Sequence, residues 1–526
     1  MGSTINSILK KTLSLAGAIF ASRVLGFIRE LLMAAVFGGG AITSAWTFSL
    51  KIPNLFRRVF GEGLIGTVLI PIISQTIEKS GRESARRQFS TVFLWVTLLL
   101  SLCTILVSSL AMLAEHIPYI AEKSHLLMAC HLIPLVMPYC IFICLIGIMT
   151  SILNSIKLFF WPAVLSLLLN LFIIGGLCLI YLTEISASLD KLQVLGWAVL
   201  LSGILEFAGM LILLKRNGFL PEISKELFCQ KGTLFEVGSL ALPGLAGAIA
   251  YQFSVFSDAL IAGWISEYAV ASLNFTERLV YLPIGVLGFA LGTVSLPEMS
   301  RMAQHRAYED LISTLFSALR YLCFLTIPLT VYFIIFHVPI LSLAYCRGNF
   351  GTRALTETAM AMGVYVFGIP AFAATKIILP GFYSRKDMKT PMYVSICCII
   401  LNLILNLILM HPLKQGGIAL ATVLSAYLNN ILLLLLLRKQ LGELPFSGFF
   451  KMLAKTILAS LAAWYPALWV FRLLSNWTKA VRGTDFFLSL LISGLVFLAI
   501  FLIIAILLRI EEINQLTRRI KKRKGA

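Results

Sequence analysis

Fourteen long apolar stretches follow one another along this 526-residue chain, and they restrict its fold more than any other feature. A helix needs roughly 20 mostly apolar residues to cross the hydrocarbon core of a bilayer. Only 13% of the residues are charged, against roughly 25% in a soluble domain. The pattern predicts an all-α polytopic membrane protein with 14 transmembrane helices. The predicted spans are 12–37, 43–77, 89–114, 126–148, 161–183, 194–214, 233–265, 270–299, 312–337, 357–383, 392–410, 416–437, 455–475 and 484–508.

The Lys and Arg residues between these spans predict the orientation of the chain. They are concentrated in alternate connections and near both ends, whereas the opposite connections hold few, such as Lys123 and Lys414. Because basic residues favour the cytoplasmic side, both termini are predicted to be cytoplasmic. The basic tail then faces anionic membrane lipids. A solvated stop-transfer run is a simpler interpretation of that tail.

Several functional classes are excluded by what the sequence lacks. It has no HExxH motif, no P-loop and no usefully spaced carboxylate pair, so we do not expect an enzyme. The net charge of +19 would suggest nucleic acid in a soluble protein, but the known binding modules are absent. The ten cysteines form no CxxC pair and are typical of buried small hydrophobic residues. The apolar start resembles a signal peptide, but its pattern continues through Arg23 and Glu30, which favours a first membrane helix.

An internal repeat predicts two pseudo-symmetric six-helix lobes followed by two C-terminal helices. The matching segments are 66–74 with 292–300 and 151–162 with 380–391. An Asn follows the second match in both halves, at Asn170 and Asn402. Transporters are commonly built from two such halves with the binding site between them. The predicted divisions are 1–215 for the N-lobe, 216–440 for the C-lobe, 441–508 for the last two helices and 509–526 for the basic tail.

Nine Lys or Arg residues fall inside predicted spans, where facing lipid at the bilayer centre would cost each roughly 2.5–3.5 kcal/mol. The four that we assign to a water-filled cavity between the lobes are Arg23, Arg29, Arg57 and Arg278. The first two spans hold only the acids Glu30 and Glu62, so this cavity stays positive. A guanidinium binds phosphate oxygens in pairs and never deprotonates, which suits a diphosphate. For the cations nearer helix ends, snorkelling to the membrane surface or a structural ion pair is a simpler explanation than a cavity. These are Arg58, Arg320, Lys376 and Arg472.

A second group of residues could hold a hard monovalent cation through oxygen atoms alone. Its members are Asp258, Asn402, Asn406, Ile418 and Thr422, with Ile418 contributing its backbone carbonyl. Asn402 and Asn406 lie one helical turn apart on one face, and so do Ile418 and Thr422. Interhelical hydrogen bonding between polar residues is the alternative, and on spacing alone it is the simpler one.

Four motifs resemble one known family, the MurJ/MviN lipid II flippases of the multidrug/oligosaccharidyl-lipid/polysaccharide exporter superfamily. The run SRVLGFIRE at 22–30 is similar to the family's first helix, and KIPNLFRRVFGEG at 51–63 to its second. The segment 277–288, with its ERL and PIGVLG motifs, resembles the eighth helix. The segment 382–391 resembles the loop before the eleventh. The resemblance covers essentially the whole chain.

The resemblance implies a monomeric transporter of the bacterial inner membrane. Such a protein would flip the undecaprenyl-diphosphate-linked peptidoglycan precursor, lipid II, to the periplasmic leaflet by alternating access. The resemblance places the four arginines on the family's cavity arginines and Glu62 on its cavity acid. It places the last two helices on the family's groove for the lipid tail. It also aligns the five oxygen-bearing residues with a sodium site, which makes a sodium ion the one cofactor to consider.

Three positions depart from the family pattern. Glu30 stands where many members carry Asp, and Ser44 stands where a cavity Asp is often found. Asn406 replaces an acid at the ion site, which removes one negative charge. The alternative functions are a flippase for another prenyl-diphosphate-linked glycan and a drug or cation antiporter, which would favour cavity acids. A membrane glycosyltransferase would need an acidic metal-binding loop, and a scaffold would not need intramembrane arginines.

Overall fold

The computed structural model describes residues 2–61, 64–222, 224, 249–385, 387–478 and 483–513. Regular structure within these ranges is helical, with no β-strand among them. Helices are what lipid favours, because a helix satisfies its backbone hydrogen bonds within one segment. The all-α fold class predicted from the sequence is therefore confirmed.

Eight helices precede residue 217. They are α1 (Gly2–Phe37), α2 (Ala41–Phe56), α3 (Leu64–Ala114), α4 (Pro118–Ala121), α5 (Ser124–Ser155), α6 (Phe160–Leu165), α7 (Leu167–Thr183) and α8 (Ser188–Arg216). A π-helical turn, Arg57–Gly61, follows α2 directly.

Eight more helices follow in the described ranges after residue 248. They are α9 (Ile249–Ile265), α10 (Ala269–Gln304), α11 (Tyr308–Tyr345), α12 (Thr352–Tyr365), α13 (Ile369–Tyr383), α14 (Lys389–Leu441), α15 (Phe446–Thr478) and α16 (Thr484–Leu507). A short 3₁₀ turn, Val366–Gly368, joins α12 to α13.

Nine helical segments in the described ranges are long and apolar enough to cross a membrane. Two of them, α3 and α14, each cover two adjacent predicted spans or parts of them. Their backbones break at single residues, Gly81 (φ 82°) in α3 and Lys414 (φ 49°) in α14. The left-handed φ at Gly81 costs little without a side chain, so this glycine allows the sharp change of direction. The breaks fall where the sequence predicts connections between spans.

Packing divides the chain into two compact units. The first unit is Met1–Ala271 with Arg347–Gly351, and the second is Ser272–Cys346 with Thr352–Ala526. The division after Ala271 lies further along the chain than the lobe boundary predicted at 215. The repeat concerns sequence similarity rather than contacts, and it remains a prediction.

The core of the first unit is built around α5. One cluster joins α5 to α3 and α8 through residues such as Phe89, Met137 and Met210. A second cluster joins α5 to α1, α2, α7 and α8 and includes Tyr139 and Val199. Because α5 belongs to both clusters, it positions the polar residues of its neighbouring helices.

The described core of the second unit includes a cluster between α11, α15 and α16. Phe324 and Phe336 of α11 pack with Phe497 and Phe501 of α16. Alanines of α15, such as Ala463, are fully buried in the same cluster and allow close helix packing. The last two predicted helices are therefore docked on α11 in this unit.

Candidate functional site

Arg29 is held from two sides in the first unit. Its Nη1 donates to the side-chain oxygen of Asn170 at 3.0 Å, and its Nη2 pairs with Glu30 at 2.8 Å. The Arg29 side chain is 16% exposed and that of Glu30 is 9% exposed. The guanidinium is thus largely withdrawn from solvent, with one neutral and one negative partner.

Asn170 of α7 lies beside Gly26 of α1, close to Arg29. A Cβ on Gly26 would lie 3.9 Å from the Asn170 side-chain oxygen, in van der Waals contact. The Asn170 amide also donates to the backbone carbonyl of Ser22 at 3.3 Å. Asn170 therefore bridges the backbone of α1 and the Arg29 side chain and fixes the direction of the guanidinium.

Arg57 opens the π-helical turn that follows α2. Its Nε donates to the side-chain oxygen of Asn54 at 3.2 Å, and Asn54 in turn donates to the carbonyl of Leu50 at 2.9 Å. Pro53 lies one turn before Arg57, inside α2, and lacks the backbone donor that a regular helix would use there. Single π turns inside helices occur frequently at functional sites.

A glycine contact holds this π turn against α5. A Cβ on Gly147 would lie 2.5 Å from the Gly61 Cα, so no larger residue fits there without movement. The turn that carries Arg57 is therefore seated directly on the central helix of the first unit.

The predicted cavity residues fall in different parts of the structure. Arg29 and Arg57 lie in the first unit, and Arg57 and Arg29 both influence the electrostatic environment of Tyr139. Arg23 also lies in the first unit and Arg278 in the second, and both side chains are exposed. Glu62 lies outside the described residues. A cavity lined by both lobes remains a prediction.

Two residues of this region were missed by the sequence reasoning. Asn170 stood out only as the counterpart of Asn402 in the repeat, although it binds Arg29. Glu206, on α8, is 2% exposed and lies within electrostatic range of Arg57. An acid inside a predicted span is itself a signal, and it could have identified Glu206.

Ser44 has a structural role at the position where the family often carries Asp. Its hydroxyl donates to the Glu267 carbonyl at 2.5 Å and accepts from the Ala271 N–H at 3.2 Å. Ala271 lies in the first turn of α10, where N–H groups lack intrahelical partners. Ser44 thus acts as a helix cap supplied by another helix. An ionised Asp could accept this hydrogen bond but could not donate one to Glu267.

The five predicted ion ligands belong to both units. Asp258 lies in the first unit, and the other four lie on α14 in the second. On α14, the Asn406 amide donates to the Asn402 side-chain oxygen at 3.2 Å, and the Thr422 hydroxyl donates to the Ile418 carbonyl at 3.0 Å. Amide, hydroxyl and carbonyl oxygens are the donors that a hard cation prefers, so the chemistry of this set fits sodium.

The cations near helix ends divide into two kinds. Lys376 and Arg472 are exposed. Arg320 of α11 instead pairs with two acids beyond α16, with Glu511 at 2.7 Å and with Glu512 at 2.5 Å. The predicted structural role is confirmed for Arg320.

The same segment beyond α16 is fixed by further contacts. Lys455 of α15 donates to the Leu508 carbonyl at 2.7 Å. Ile510 and Ile513 are buried in the cluster of α11, α15 and α16. We call residues 509–513 the C-terminal anchor.

The connection between α13 and α14 contains a second polar network. Arg385 donates to the carbonyl of Gly381 at 3.2 Å and to the side chain of Gln440 at 2.5 Å. Asp387 accepts from the Thr390 N–H at 3.0 Å and from Gln440 at 3.3 Å. Burial acts to raise the pKa of Asp387, but these hydrogen bonds and the Arg385 charge outweigh it and hold the pKa below its usual value. The loop motif found in the sequence is thus a folded, ionic turn.

Comparison with known proteins identifies the family. The family described as "Lipid II flippase MurJ" matches residues 33–506. A Rhizobium tropici protein named "Probable lipid II flippase MurJ" is 30% identical, and the match covers 99% of this chain and 98% of that protein. A Burkholderia cenocepacia "Lipid II flippase MurJ" is 28% identical over 86% of this chain and 88% of its own length.

Solved structures agree with this relationship. A structure titled "Lipid II flippase MurJ, inward closed conformation" matches with a TM-score of 0.75 and 25% identity, covering 94% of this chain and 98% of that one. An inward-facing MATE multidrug transporter of the MOP superfamily matches with a TM-score of 0.66 at 14% identity, over 80% of this chain and 94% of its own, which shows a shared fold. The chain belongs to the lipid II flippase MurJ family and is a multi-pass transporter of the bacterial inner membrane, not an enzyme.

Proposed function

We propose that this protein moves lipid II from the cytoplasmic to the periplasmic leaflet by alternating access through a cationic cavity. The names of its relatives support lipid II as the substrate. The observation that carries the proposal is the arrangement of Arg29, which is ordered by a neutral Asn170 and only partly neutralised by Glu30.

The chemistry of the headgroup explains why such an arginine is useful. Two of the five N–H donors of the Arg29 guanidinium are engaged by Asn170 and Glu30 in the structure. A diphosphate carries more negative charge than one carboxylate and accepts hydrogen bonds in pairs. In the proposed mechanism it displaces Glu30 as the main partner, while Asn170 keeps the guanidinium in place.

The remaining steps follow from the family resemblance. Arg23 and Arg278 complete the grip on the diphosphate, and Arg57 with Glu62 helps to gate the cavity. The prenyl tail stays in lipid along the groove formed by α15 and α16. The two lobes then rock and expose the headgroup to the periplasm. A monomer with 14 spans and cytoplasmic termini is sufficient for this cycle.

The central test replaces Arg23 or Arg278 with Ala. Each variant should fail to support growth of a flippase-depleted strain while its protein level in the membrane stays normal, because the diphosphate loses a charge-assisted contact. Replacement of Arg472, an exposed cation that the proposal leaves outside the cavity, serves as the control and should support growth. Normal growth of both cavity variants would count against the assignment.

A proteoliposome assay separates the alternatives in substrate. Purified protein should flip lipid II faster than other prenyl-diphosphate sugars. Equal rates for all of them would indicate a broader flippase. Transport of cationic drugs without lipid II flipping would favour the antiporter.

We propose that the membrane potential or a sodium ion resets the cycle, with sodium held by Asp258, Asn402, Asn406, Thr422 and the Ile418 carbonyl. A sodium ion would supply positive charge that biases one conformation. Asn406→Asp would add the negative charge that this chain lacks and should lower the sodium concentration needed for half-maximal flipping. The same sodium dependence in Asn406→Asp and wild type, or none in either, would contradict the assignment.

A further inference from the structure

Glu206 is an acid buried inside the first unit. It lies on α8 between two apolar clusters. Val199, before it on the helix, belongs to one cluster, and Met210, after it, belongs to the other. The whole residue is 2% exposed. In the part of the chain that the structure describes, no hydrogen bond or ion pair joins Glu206 to another residue. An ionised carboxylate in such surroundings is strongly disfavoured, and the neutral acid is the stable form.

A second polar group is buried beside it. Tyr139 of α5 is 3% exposed, and its hydroxyl has no hydrogen-bond partner among the described residues. Its ring packs on Gly203, one helical turn before Glu206, and a Cβ at that position would lie 2.6 Å from the ring. The two side chains are close enough for the Glu206 charge to act on Tyr139. Two partnerless polar groups therefore lie together in an otherwise apolar interior.

Few charged or titratable groups act on Glu206 and Tyr139. Arg57 acts on Glu206, and Arg57, Arg29 and the Cys144 thiol act on Tyr139. Of the other helices that contact α8, α6 and α7 carry no Asp, Glu, Lys, Arg or His. Titratable residues do lie on α2 (Lys51), on α5 (His125) and on α3 (Arg86), a helix whose Phe93 stacks on Phe207. Among the described residues, Arg57 is nevertheless the charged group that acts on Glu206. Arg57 is therefore the cation that can neutralise an ionised Glu206. It lies on the π turn after α2, and single π turns are frequent at functional sites.

We infer that Glu206 is a proton-binding site, with the Tyr139 hydroxyl beside it and Arg57 as the cation that replaces the proton. The inference deepens the proposed function, since Arg57 belongs to the proposed cavity. In this conformation the carboxyl keeps its proton and forms no ion pair with Arg57. On release, the O–H bond breaks, the proton passes to water, and the carboxylate pairs with the Arg57 guanidinium. This ion pair draws the Arg57 guanidinium toward α8 and so couples proton release to the gating role proposed for Arg57.

Infrared spectroscopy of the purified full-length protein in lipid tests the proton site without any transport. The wild type should show the carbonyl stretch of a protonated, buried carboxylic acid at neutral pH, and alkaline buffer should remove it. Glu206→Gln should lack this signal. The control Glu30→Gln should retain it, because Glu30 forms an ion pair with Arg29. An unchanged signal in Glu206→Gln would overturn the inference.

A second variant decides the matter if Glu206→Gln does not fold. Tyr139→Phe removes only the hydroxyl and should shift the frequency of the same signal, because the polar group beside the carboxyl is lost. A signal identical to that of the wild type would overturn the assignment of Tyr139 and Glu206 as one site.

Flipping measured across pH connects the site to transport. Wild-type proteoliposomes should flip lipid II at a rate that changes with pH, and Glu206→Gln should lose that dependence. Identical pH profiles in the two proteins would overturn the coupling of the proton to Arg57. Absence of flipping by the wild type would refute the proposed function instead, while the infrared result would still establish or exclude the proton site.

Discussion

At the scale of single residues, the ordering of Arg29 matters more than its charge alone. A long side chain loses about 2 kcal/mol of rotamer freedom when it is immobilised. Asn170 and Glu30 already hold the guanidinium, so part of this cost is met before any ligand arrives. A neutral amide does this without cancelling the positive charge, whereas a second carboxylate would.

The first prediction concerns Asn170. Asn170→Leu keeps the size of the side chain but removes the acceptor for Arg29 and the donor to Ser22. A hydrogen bond to a charged group contributes about 1.5–3 kcal/mol, so lipid II flipping in proteoliposomes should fall by roughly 10-fold or more. The matched control is Asn217→Leu, which removes the hydrogen bond that the Asn217 amide donates to the Leu213 carbonyl at the end of α8. This variant should flip lipid II at the wild-type rate. Equal rates in Asn170→Leu and wild type would exclude a positioning role.

The intramembrane arginines could be predicted from the sequence, but their partners could not. A cation inside an apolar run is conspicuous because its burial in lipid is costly. Asn170 and Glu206 lie on α7 and α8, and only helix packing decides that they approach Arg29 and Arg57. The role of Ser44 depends on the turn 266–271 folding back onto α2, which no local pattern encodes.

At the scale of helices, the irregular points carry the functional side chains. Pro53 and Gly61 are visible in the sequence, but the π turn between them, seated on α5, is not. The kinks at Gly81 and Lys414 fall where connections were predicted, since turn-forming residues are visible in a sequence. The type of irregularity depends on neighbours and could not be predicted.

The second prediction concerns the contact between the π turn and α5. Gly147→Ala places a methyl group 2.5 Å from the Gly61 Cα and must displace the turn. Overpacking of this kind costs about 1–3 kcal/mol, so thermal unfolding in detergent should occur at lower temperature, and flipping should fall with the displacement of Arg57. Gly175→Ala is the matched control, because its Cβ would meet no atom within 4 Å. Equal loss of stability in both variants would argue against a specific contact.

At the scale of the whole molecule, apolar periodicity and charge were enough to predict the class of protein. The regular structure in the described ranges is helical, and nine of its segments are long and apolar enough to cross a membrane, which agrees with that class. The total of 14 spans and the side of each terminus remain predictions, because they rest on the apolar stretches and on the charge in the connections. The resemblance to the family came from short motifs that contain the arginines, and the family match over residues 33–506 confirmed it.

The third prediction tests that orientation. Alkaline phosphatase, which is active only outside the cytoplasm, should be active when fused after Lys123 and inactive when fused after Arg438. Basic residues are sparse around Lys123 and dense around Arg438, and dense clusters remain in the cytoplasm. An active fusion after Arg438 would show that the number of spans before it is odd.

The C-terminal anchor has a practical consequence for anyone who shortens or tags this protein. Ile510 is 1% exposed and Ile513 is 6% exposed, so both serve as interior side chains of the second unit. Fully burying an isoleucine contributes about 1.5–3 kcal/mol. A stop codon placed after Leu508 would delete both isoleucines and remove Glu511 and Glu512, the acids that pair with Arg320. It would leave every predicted membrane helix in place. An affinity tag for purification should therefore be attached after residue 513, so that the C-terminal anchor stays intact.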